Sequence, residues 1–430
     1  MLAAIGVATV DDLFADVPEV LRNPVLEVPP GLSEPQLWRH FAQLAGRNRG
    51  DLVCFLGAGA YDHYVPAAVD ELAGRGEFYT GYTPYQPEMT QGVLQAIYEY
   101  QTMVCELTGL AVSNASLYDG ATAVWEALLM SERHVHAGRF LVSTGVNPRV
   151  RCAVASYAAA ADYPLEVVGE VDGRLALETA REALAAGASG LVVQLPSAFG
   201  LIEDYSALAE LCHAHRALLI IVANPIALAI VKSPAEMGAD ICVGEGQPLG
   251  IPLQYGGPYL GFMAASEPLI RKMPGRIVGG TVDAEGERGF VLTLQAREQH
   301  IRREKATSNV CTNQALMALR ATIYLTLLGR EGLRDLAEVN LRHADYLRRR
   351  LLALPGVEPL LDGPHFHEFA IRLPDAARRH AAALEAGYLA GLPLDQWDRR
   401  LSDALLLCAT EKRTRAEMDA LVGVLEEAAR

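Results

Sequence analysis

Lysine is nearly missing from this 430-residue chain: it occurs only at Lys232, Lys272, Lys305 and Lys412, so 33 of the 37 basic residues are arginine. For a metabolic enzyme this sharply limits which chemistry the chain can do alone. Basic charge is scarce overall, with 37 Lys+Arg against 52 Asp+Glu and a formal net charge of −15. That balance argues against nucleic-acid binding, which needs a basic footprint. The longest apolar run, 217–231, is broken by Asn224-Pro225 and is too short to cross a bilayer, so no membrane role is expected. The first twenty residues have no basic n-region and meet Asp11 and Asp12 early, unlike a signal or transit peptide. No C-x-x-C pair and no Cys/His spacing of a metal site occurs among the seven dispersed cysteines (54, 105, 152, 212, 242, 311, 408). They read as reduced core thiols of a cytoplasmic protein. The H-x-H pairs at 134/136, 213/215 and 365/367 read as surface or loop imidazoles. Neither G-x-x-x-x-G-K-[ST] nor a strand-anchored G-x-G-x-x-G is found.

What is present is a large core. Apolar residues make up 51% of the chain and charged residues 21%, which suits a multi-domain globular protein rather than disorder. Residues 1–55 carry short capped helices; Ser33-Glu34-Pro35 before QLWRHFAQLAG reads as an N-cap with an early proline, closed by Gly46. Residues 91–108 place Val93, Ile97, Tyr100, Val104 and Leu107 on one helical face, with Gly109 as the stop. From 120 to about 265, short apolar runs at 140–143, 165–169, 191–195, 218–223, 241–243 and 259–264 alternate with helices at 149–160, 175–186 and 205–215. Uniformly apolar strands point to a parallel sheet covered on both faces, with ligands at the carboxyl ends of its strands. A large α/β domain over 56–310 is followed by a smaller α+β domain over 311–430. The smaller domain opens with helices at 314–328 and 332–352, has strands near 366–373 and 403–409, and ends in a helix from Thr414.

Four segments are dense enough to carry chemistry. FYTGYTPYQPEM (78–89) brings Tyr79, Tyr82 and Tyr85 together on a proline-stiffened loop, with Glu88 before a helix; it reads either as a rigid entry loop or as a rim of phenols. NASLYDGAT (114–122) is a turn entering a helix whose free N–H groups suit a phosphate. Asp119 stands there as a cap and would repel an anion, which favours the capped helix. The glycines of GEGQPLG (244–250) and YGGP (255–258) mark tight turns or close backbone approach. Finally, 271–305 holds eight Lys/Arg against five acids, with Gly279-Gly280-Thr281 inside it. It reads as a solvated arginine-rich helix over REQHIRREK, or as an anion or partner site.

Together YTPYQPEMTQG, EYQTMVCELTGL, NASLYDGATA, GADICVGEGQPLG, QYGGPYLG and REQHIRREKATSNVCTNQAL resemble the P-proteins of the glycine cleavage system, specifically subunit 1 (alpha) of the two-chain form. The resemblance spans roughly 50–330. It implies the fold type I architecture of pyridoxal-phosphate enzymes, like the aspartate aminotransferase group. It also implies glycine decarboxylation with transfer of the aminomethyl group to the lipoyl arm of an H-protein, within a heterotetramer of paired heterodimers.

On that fold the two hallmark positions of a cofactor site are empty. Glu245-Gly246-Gln247 stands where a Schiff-base lysine would follow the strand at 241–243, and the stretch 217–235 has no carboxylate for the pyridine nitrogen. The resemblance therefore implies a chain that completes the site of a lysine-bearing subunit 2. Tyr79, Tyr82, Tyr85 and Glu88 would line the entrance for glycine and the lipoyl arm. Gly279, Gly280 and Thr281 would offer N–H and hydroxyl groups to the cofactor phosphate across the interface. Arg297 and the Thr307-Ser308-Asn309 turn are further candidates. The competing readings are a scaffolding or regulatory pseudoenzyme of the same complex, and an autonomous enzyme using Lys232.

Overall fold

Strands that are apolar at every position must be covered on both faces, and the central sheet meets that requirement. In the computed structural model, which describes residues 1–429 except Thr80, Thr307 and Asn309, this sheet has seven strands. They are β1 (Val112–Ser113), β2 (Phe140–Ser143), β3 (Leu165–Val168), β4 (Gly190–Leu195), β5 (Leu218–Ala223), β6 (Ile241–Glu245) and β7 (Gly261–Ala265), in the spatial order β1-β7-β6-β5-β4-β2-β3. β3, β2, β4, β5 and β6 are mutually parallel, while β7 runs antiparallel to β6 and to β1. The alternation of strand side chains divides the core in two. Leu141, Leu191, Val193, Leu219 and Ile221 face one layer; Phe140, Val142, Val192, Ile220 and Val243 face the other. The first layer takes Tyr100 and Val104 from α1 (Gln91–Thr108), and the second takes Val124, Ala127 and Leu128 from α2 (Gly120–Val135). The intervening helices α3 (Pro148–Ala160), α4 (Leu177–Ala185) and α5 (Ser206–Ala214) lie where the pattern placed them. Fold type I α/β architecture is the result.

The segment 271–305 contains a hairpin of β8 (Ile277–Val282) and β9 (Arg288–Thr293), ahead of the expected arginine-rich helix. Only the four residues Gln299–Arg302 of REQHIRREK are α-helical. Ion pairs along a helix contribute about 0.2–0.5 kcal/mol each, too little to hold a short isolated helix. The apolar positions of the hairpin do better: Val278, Phe290 and Leu292 pack against Leu94 and Ile97 of α1.

The long helix α6 (Ala315–Leu352) links two cores. Met317, Ala321 and Tyr324 join the layer on the central sheet. Ala344, Leu347 and Leu351 pack instead on a four-stranded antiparallel sheet. That sheet contains β10 (Glu358–Pro359), β11 (Glu368–Arg372), β12 (Leu392–Pro393) and β13 (Ala404–Cys408), in the order β10-β11-β13-β12. α7 (Ala376–Glu385) and α8 (Arg415–Glu427) cover it. Val53 and Cys54 pair in parallel with Tyr388 and Leu389, so these residues belong with the C-terminal layer.

Met1–Asp51 is a unit separate from Leu52–Arg430. In it the helix Glu34–Ala45 starts as expected, with the Gln36 side chain accepting the Ser33 N–H at 2.9 Å. Its Leu37, Trp38, Phe41 and Leu44 are exposed. Among the described residues no helix is long and apolar enough to cross a membrane, and no His/Cys/Asp/Glu group could hold a metal ion. All seven cysteines are free; Cys212, Cys242 and Cys408 are buried, while Cys152 and Cys311 are exposed.

The two helices expected at 314–328 and 332–352 meet at Gly329, with φ 62° and ψ −174°. Only glycine adopts that conformation without strain, and a Cβ there would touch nothing within 4 Å. Gly329→Ala therefore isolates backbone strain from crowding. It should lower the unfolding free energy by about 1–3 kcal/mol, read from the urea midpoint; an unchanged midpoint would contradict this account of the kink.

Candidate active site

The carboxyl ends of β4, β5 and β6 open on a cavity of about 80 Å³, lined among others by Tyr61, Asn147, Asn224, Glu245, His367 and Glu368. This is where a doubly wound sheet places ligands. The N-terminus of α2 reaches it, and its Gly120 and Thr122 amides are already engaged. Asp119 Oδ1 accepts the Thr122 N–H at 2.8 Å, and Glu245 Oε2 accepts the Gly120 N–H at 2.9 Å. Gly120 allows this approach, because a Cβ would lie 3.0 Å from both the nitrogen and the Cβ of Glu245. Glu245 Oε1 also accepts the N–H groups of Gln247 and Leu260, each at 2.9 Å. Burial pushes its carboxyl up to about 7, against those three amides, which favour the charged form. The expectation that Asp119 caps α2 holds, and a second carboxylate lies against the helix's first amide. A phosphate placed here would meet two carboxylates, so these residues do not fit a pyridoxal-phosphate phosphate group.

No lysine lines the cavity. Lys232 is exposed and bonded to Asp204 and Ser206, Lys272 donates to the Arg133 carbonyl, Lys412 pairs with Asp62, and Lys305 is exposed. At the end of β5, Asn224 Oδ1 accepts the Ile226 and Ala227 N–H groups, which leaves its Nδ2 facing His367 Nε2 at 3.3 Å. His367 Nε2 is then the acceptor and Nδ1 carries the proton. Burial, with His63 nearby, holds this imidazole neutral, well below the ordinary histidine range.

A buried chain of hydrogen bonds closes the cleft. Glu368 accepts from the Ala58 N–H (2.5 Å) and the Tyr61 hydroxyl (2.9 Å). Gln247 accepts the Tyr61 N–H and donates to the Tyr61 and Ile251 carbonyls. The His365/His367 pair, expected at the surface, is buried instead, because the segment leading into β11 runs along the cleft, where His367 is part of the lining; His134, His136 and His213 are exposed as expected.

The tyrosine-rich loop lies elsewhere. Tyr79, Tyr82 and Tyr85 are exposed together with Met89, and Glu88 is exposed on a single 3₁₀ turn, Pro87–Met89. Tyr82 Oη bonds Thr312 Oγ1, and Tyr85 Oη accepts from Arg276 at 3.3 Å. Gly279, Gly280 and Thr281 lie on β8, opposite Val291, Phe290 and Gly289. Val278 spends its N–H and carbonyl on Gln101, and Phe290 spends both on Gln91, so these residues face away from the partner strand. The alternation of an antiparallel ladder then turns Gly279 and Thr281 toward β9 and leaves the Gly280 amide directed outward. Arg297 is engaged by its own chain: Nη1, Nη2 and Nε donate to the carbonyls of Met273, Gly275 and Leu294. Burial lowers its pKa, and its contacts clamp backbone. In the Thr307-Ser308-Asn309 turn, Thr307 and Asn309 lie outside the described residues; the Ser308 hydroxyl accepts the Val310 N–H.

Sequence reasoning missed Tyr61, Arg276, His367 and Glu368. Glu368 had a signal, an acid inside the apolar strand FHEFAIRL. Arg276 had none to set it apart from seven other cations in its segment.

Burial pushes Glu368 up to about 7 from its ordinary 4.5. A carboxyl that stays protonated in the folded chain makes stability fall as pH rises from about 4.5 through 7. Glu368→Gln keeps the shape, and the Tyr61 hydroxyl can turn to accept instead of donate. The substitution should flatten stability against pH in that window by up to about 1.4 kcal/mol per pH unit, one proton's share. An unchanged slope in denaturant titrations at pH 5, 6 and 7 would contradict the assignment.

The family model described as glycine cleavage system P-protein matches residues 1–425. The chain is 50% identical over 429 residues to the probable glycine dehydrogenase (decarboxylating) subunit 1 of Moorella thermoacetica, covering 99% of this chain and 96% of that one. It superposes with TM-score 0.92 and 43% identity on a crystal structure of glycine decarboxylase (P-protein) of the glycine cleavage system in inhibitor-bound form, over 100% of this chain and 97% of that one. A sphingosine-1-phosphate lyase of Burkholderia pseudomallei, 17% identical, shares the fold at TM-score 0.69 over 96% and 94%. With matches that run the length of the chain, it belongs to the glycine cleavage system P-protein family, among the subunit 1 chains of glycine dehydrogenase (decarboxylating).

Proposed function

We propose that this chain completes a glycine-decarboxylating site whose lysine and pyridoxal phosphate belong to subunit 2, in a heterotetramer of paired heterodimers in the cytoplasm. The observation that supports it most is at the N-terminus of α2: Asp119 and Glu245 hold the Thr122 and Gly120 amides, and no lysine lines the cleft. Pyridoxal phosphate, where it is bound, supplies the electron sink for loss of CO₂ from glycine. The aminomethyl carbon passes to a sulfur of the H-protein's lipoyl disulfide. The electron pair left by CO₂ would form the C–S bond, the S–S pair would go to the second sulfur, and a proton would complete its thiol.

In this reading the chain binds and orients. Tyr79, Tyr82, Tyr85 and Glu88 line the entrance for glycine and the lipoyl arm, as exposed phenols on a proline-stiffened loop. The outward Gly280 amide and the Thr281 hydroxyl are donors available to the cofactor phosphate across the interface, with Gly279 holding the strand beneath them. Arg297 acts from behind, by fixing the backbone at 273–275. The exposed apolar face of Leu37, Trp38, Phe41 and Leu44 is offered to subunit 2.

Two measurements test the proposal. Incubated alone with pyridoxal phosphate and then borohydride, the full chain should show no covalent adduct by mass spectrometry; an adduct on Lys232 would restore the autonomous enzyme. In the complex with subunit 2, Tyr82→Phe and Tyr85→Phe should each slow glycine–CO₂ exchange by about 10-fold while co-elution persists. Unchanged exchange in both would leave the chain a scaffold.

A further inference from the structure

Two of the three exposed tyrosines end on adjacent residues of one segment. Tyr82 Oη bonds Thr312 Oγ1 directly. Tyr85 Oη accepts from Arg276 Nη2 at 3.3 Å, and Arg276 Nη1 donates to Asn313 Oδ1 at 3.4 Å. That segment is in turn stitched to the turn entering α2. The Tyr118 hydroxyl accepts the Cys311 N–H at 3.3 Å, and the Ser116 hydroxyl accepts the Gln314 N–H at 3.0 Å and Asn313 Nδ2 at 3.1 Å. Ser116 is fully buried with φ 143°, a backbone conformation that persists only where its surroundings hold it. The Arg276 carbonyl accepts the Ala115 N–H at 2.8 Å, so Arg276 belongs to the same block.

Arg276 also lines an open pocket of about 380 Å³ beside the loop, with Tyr85, Glu298, His300 and Arg303 among its other walls. It is buried, whereas Arg303 is exposed. Glu298 Oε2, 3.7 Å from its Nε, is the counter-charge. Besides the hydroxyl contact, the Arg276 guanidinium lies over the Tyr85 ring, with Cζ 5.6 Å from the centroid, and His300 meets that ring edge-on. A guanidinium has donors and no acceptor, so the Tyr85 oxygen must accept from it. The phenol's own O–H is then left to donate, on a side chain that is half exposed.

Resting on the shared-site reading above, we propose that Arg276 is a positioning residue of the entrance: it fixes the Tyr85 side chain against the block that enters α2 and commits its phenol to donating outward. Arg276 itself touches no ligand in this assignment. Its effect passes through Tyr85, while Tyr82 is held by Thr312 without it.

A double-mutant cycle in glycine–CO₂ exchange, with the chain in complex with subunit 2, tests the coupling. Loss of Arg276 alone would strand the Glu298 carboxylate, so the pair is replaced together as Arg276→Met/Glu298→Gln. This variant should slow exchange about 10-fold, as Tyr85→Phe does, and should slow it no further once Tyr85→Phe is present. Arg276→Lys, which keeps a charge and a donor, should lose less. If the double variant fails to fold, the Arg276→Lys loss decides in the same cycle, since it too should vanish beside Tyr85→Phe. On the chain alone, chymotrypsin should cut after Tyr82 or Tyr85 several-fold faster in the double variant than in the unaltered chain, with cleavage elsewhere unchanged. Effects that multiply with Tyr85→Phe, or a double variant at the unaltered rate while Tyr85→Phe is slow, overturn the proposal and spare the shared-site reading. Exchange insensitive to both tyrosines sinks that reading instead. Proteolysis then decides: faster cleavage keeps Arg276 as the residue that fixes the loop, and unchanged cleavage overturns it.

Discussion

The carboxylate of Glu245 against the amides of Gly120, Gln247 and Leu260 is the contact on which the centre of this molecule depends. It ties together the end of β6, the start of α2 and the approach to β7, three segments distant in sequence. An anion at a helix N-terminus stabilises by about 0.3–1 kcal/mol when exposed and up to about 2 kcal/mol when partly buried. Here the acceptor at the helix end is the chain's own side chain. The helix end that a fold type I sheet presents to a ligand is therefore satisfied within the protein.

Around that contact the cleft is held by polar groups that answer one another. Tyr61 connects Gln247 to Glu368, and Asn224 fixes the tautomer of His367. Networks of this kind rigidify when their members are paired, since an unpaired buried group is costly. Most of these groups are paired, while His63 Nε2 and His367 Nδ1 are buried without a hydrogen-bond partner among the described residues. The Tyr85–Arg276–Glu298 pocket differs: it is open, charged on both sides and only loosely bonded. One chain therefore carries a largely paired interior cleft and an open charged rim, a contrast that supports the division of labour proposed for the two subunits.

Much of the fold was legible in residue order. The span 91–108 begins and ends as its apolar stripe and Gly109 required, and 140–143 and 218–223 coincide with β2 and β5. Local signals suffice where a helix needs one apolar face and a buried strand needs two. They failed in the arginine-rich segment, where i,i+4 charge pairs suggested a helix over REQHIRREK and only Gln299–Arg302 is α-helical. They failed also for His365 and His367, which look like loop residues until the segment leading into β11 runs along the cleft.

By itself the sequence determined the class of the sheet, the cap at Asp119 and the scarcity of lysine, because these depend on periodicity, on residues a few positions apart, or on composition. Tertiary structure decided what occupies the cleft and which arginine is available. Glu245 reaches Gly120 across 125 positions, and Arg276 meets Tyr85 across 191. Arg297, equally prominent in the sequence, is spent on three carbonyls. No spacing rule distinguishes the two arginines, since only the folded backbone brings donors and acceptors within reach.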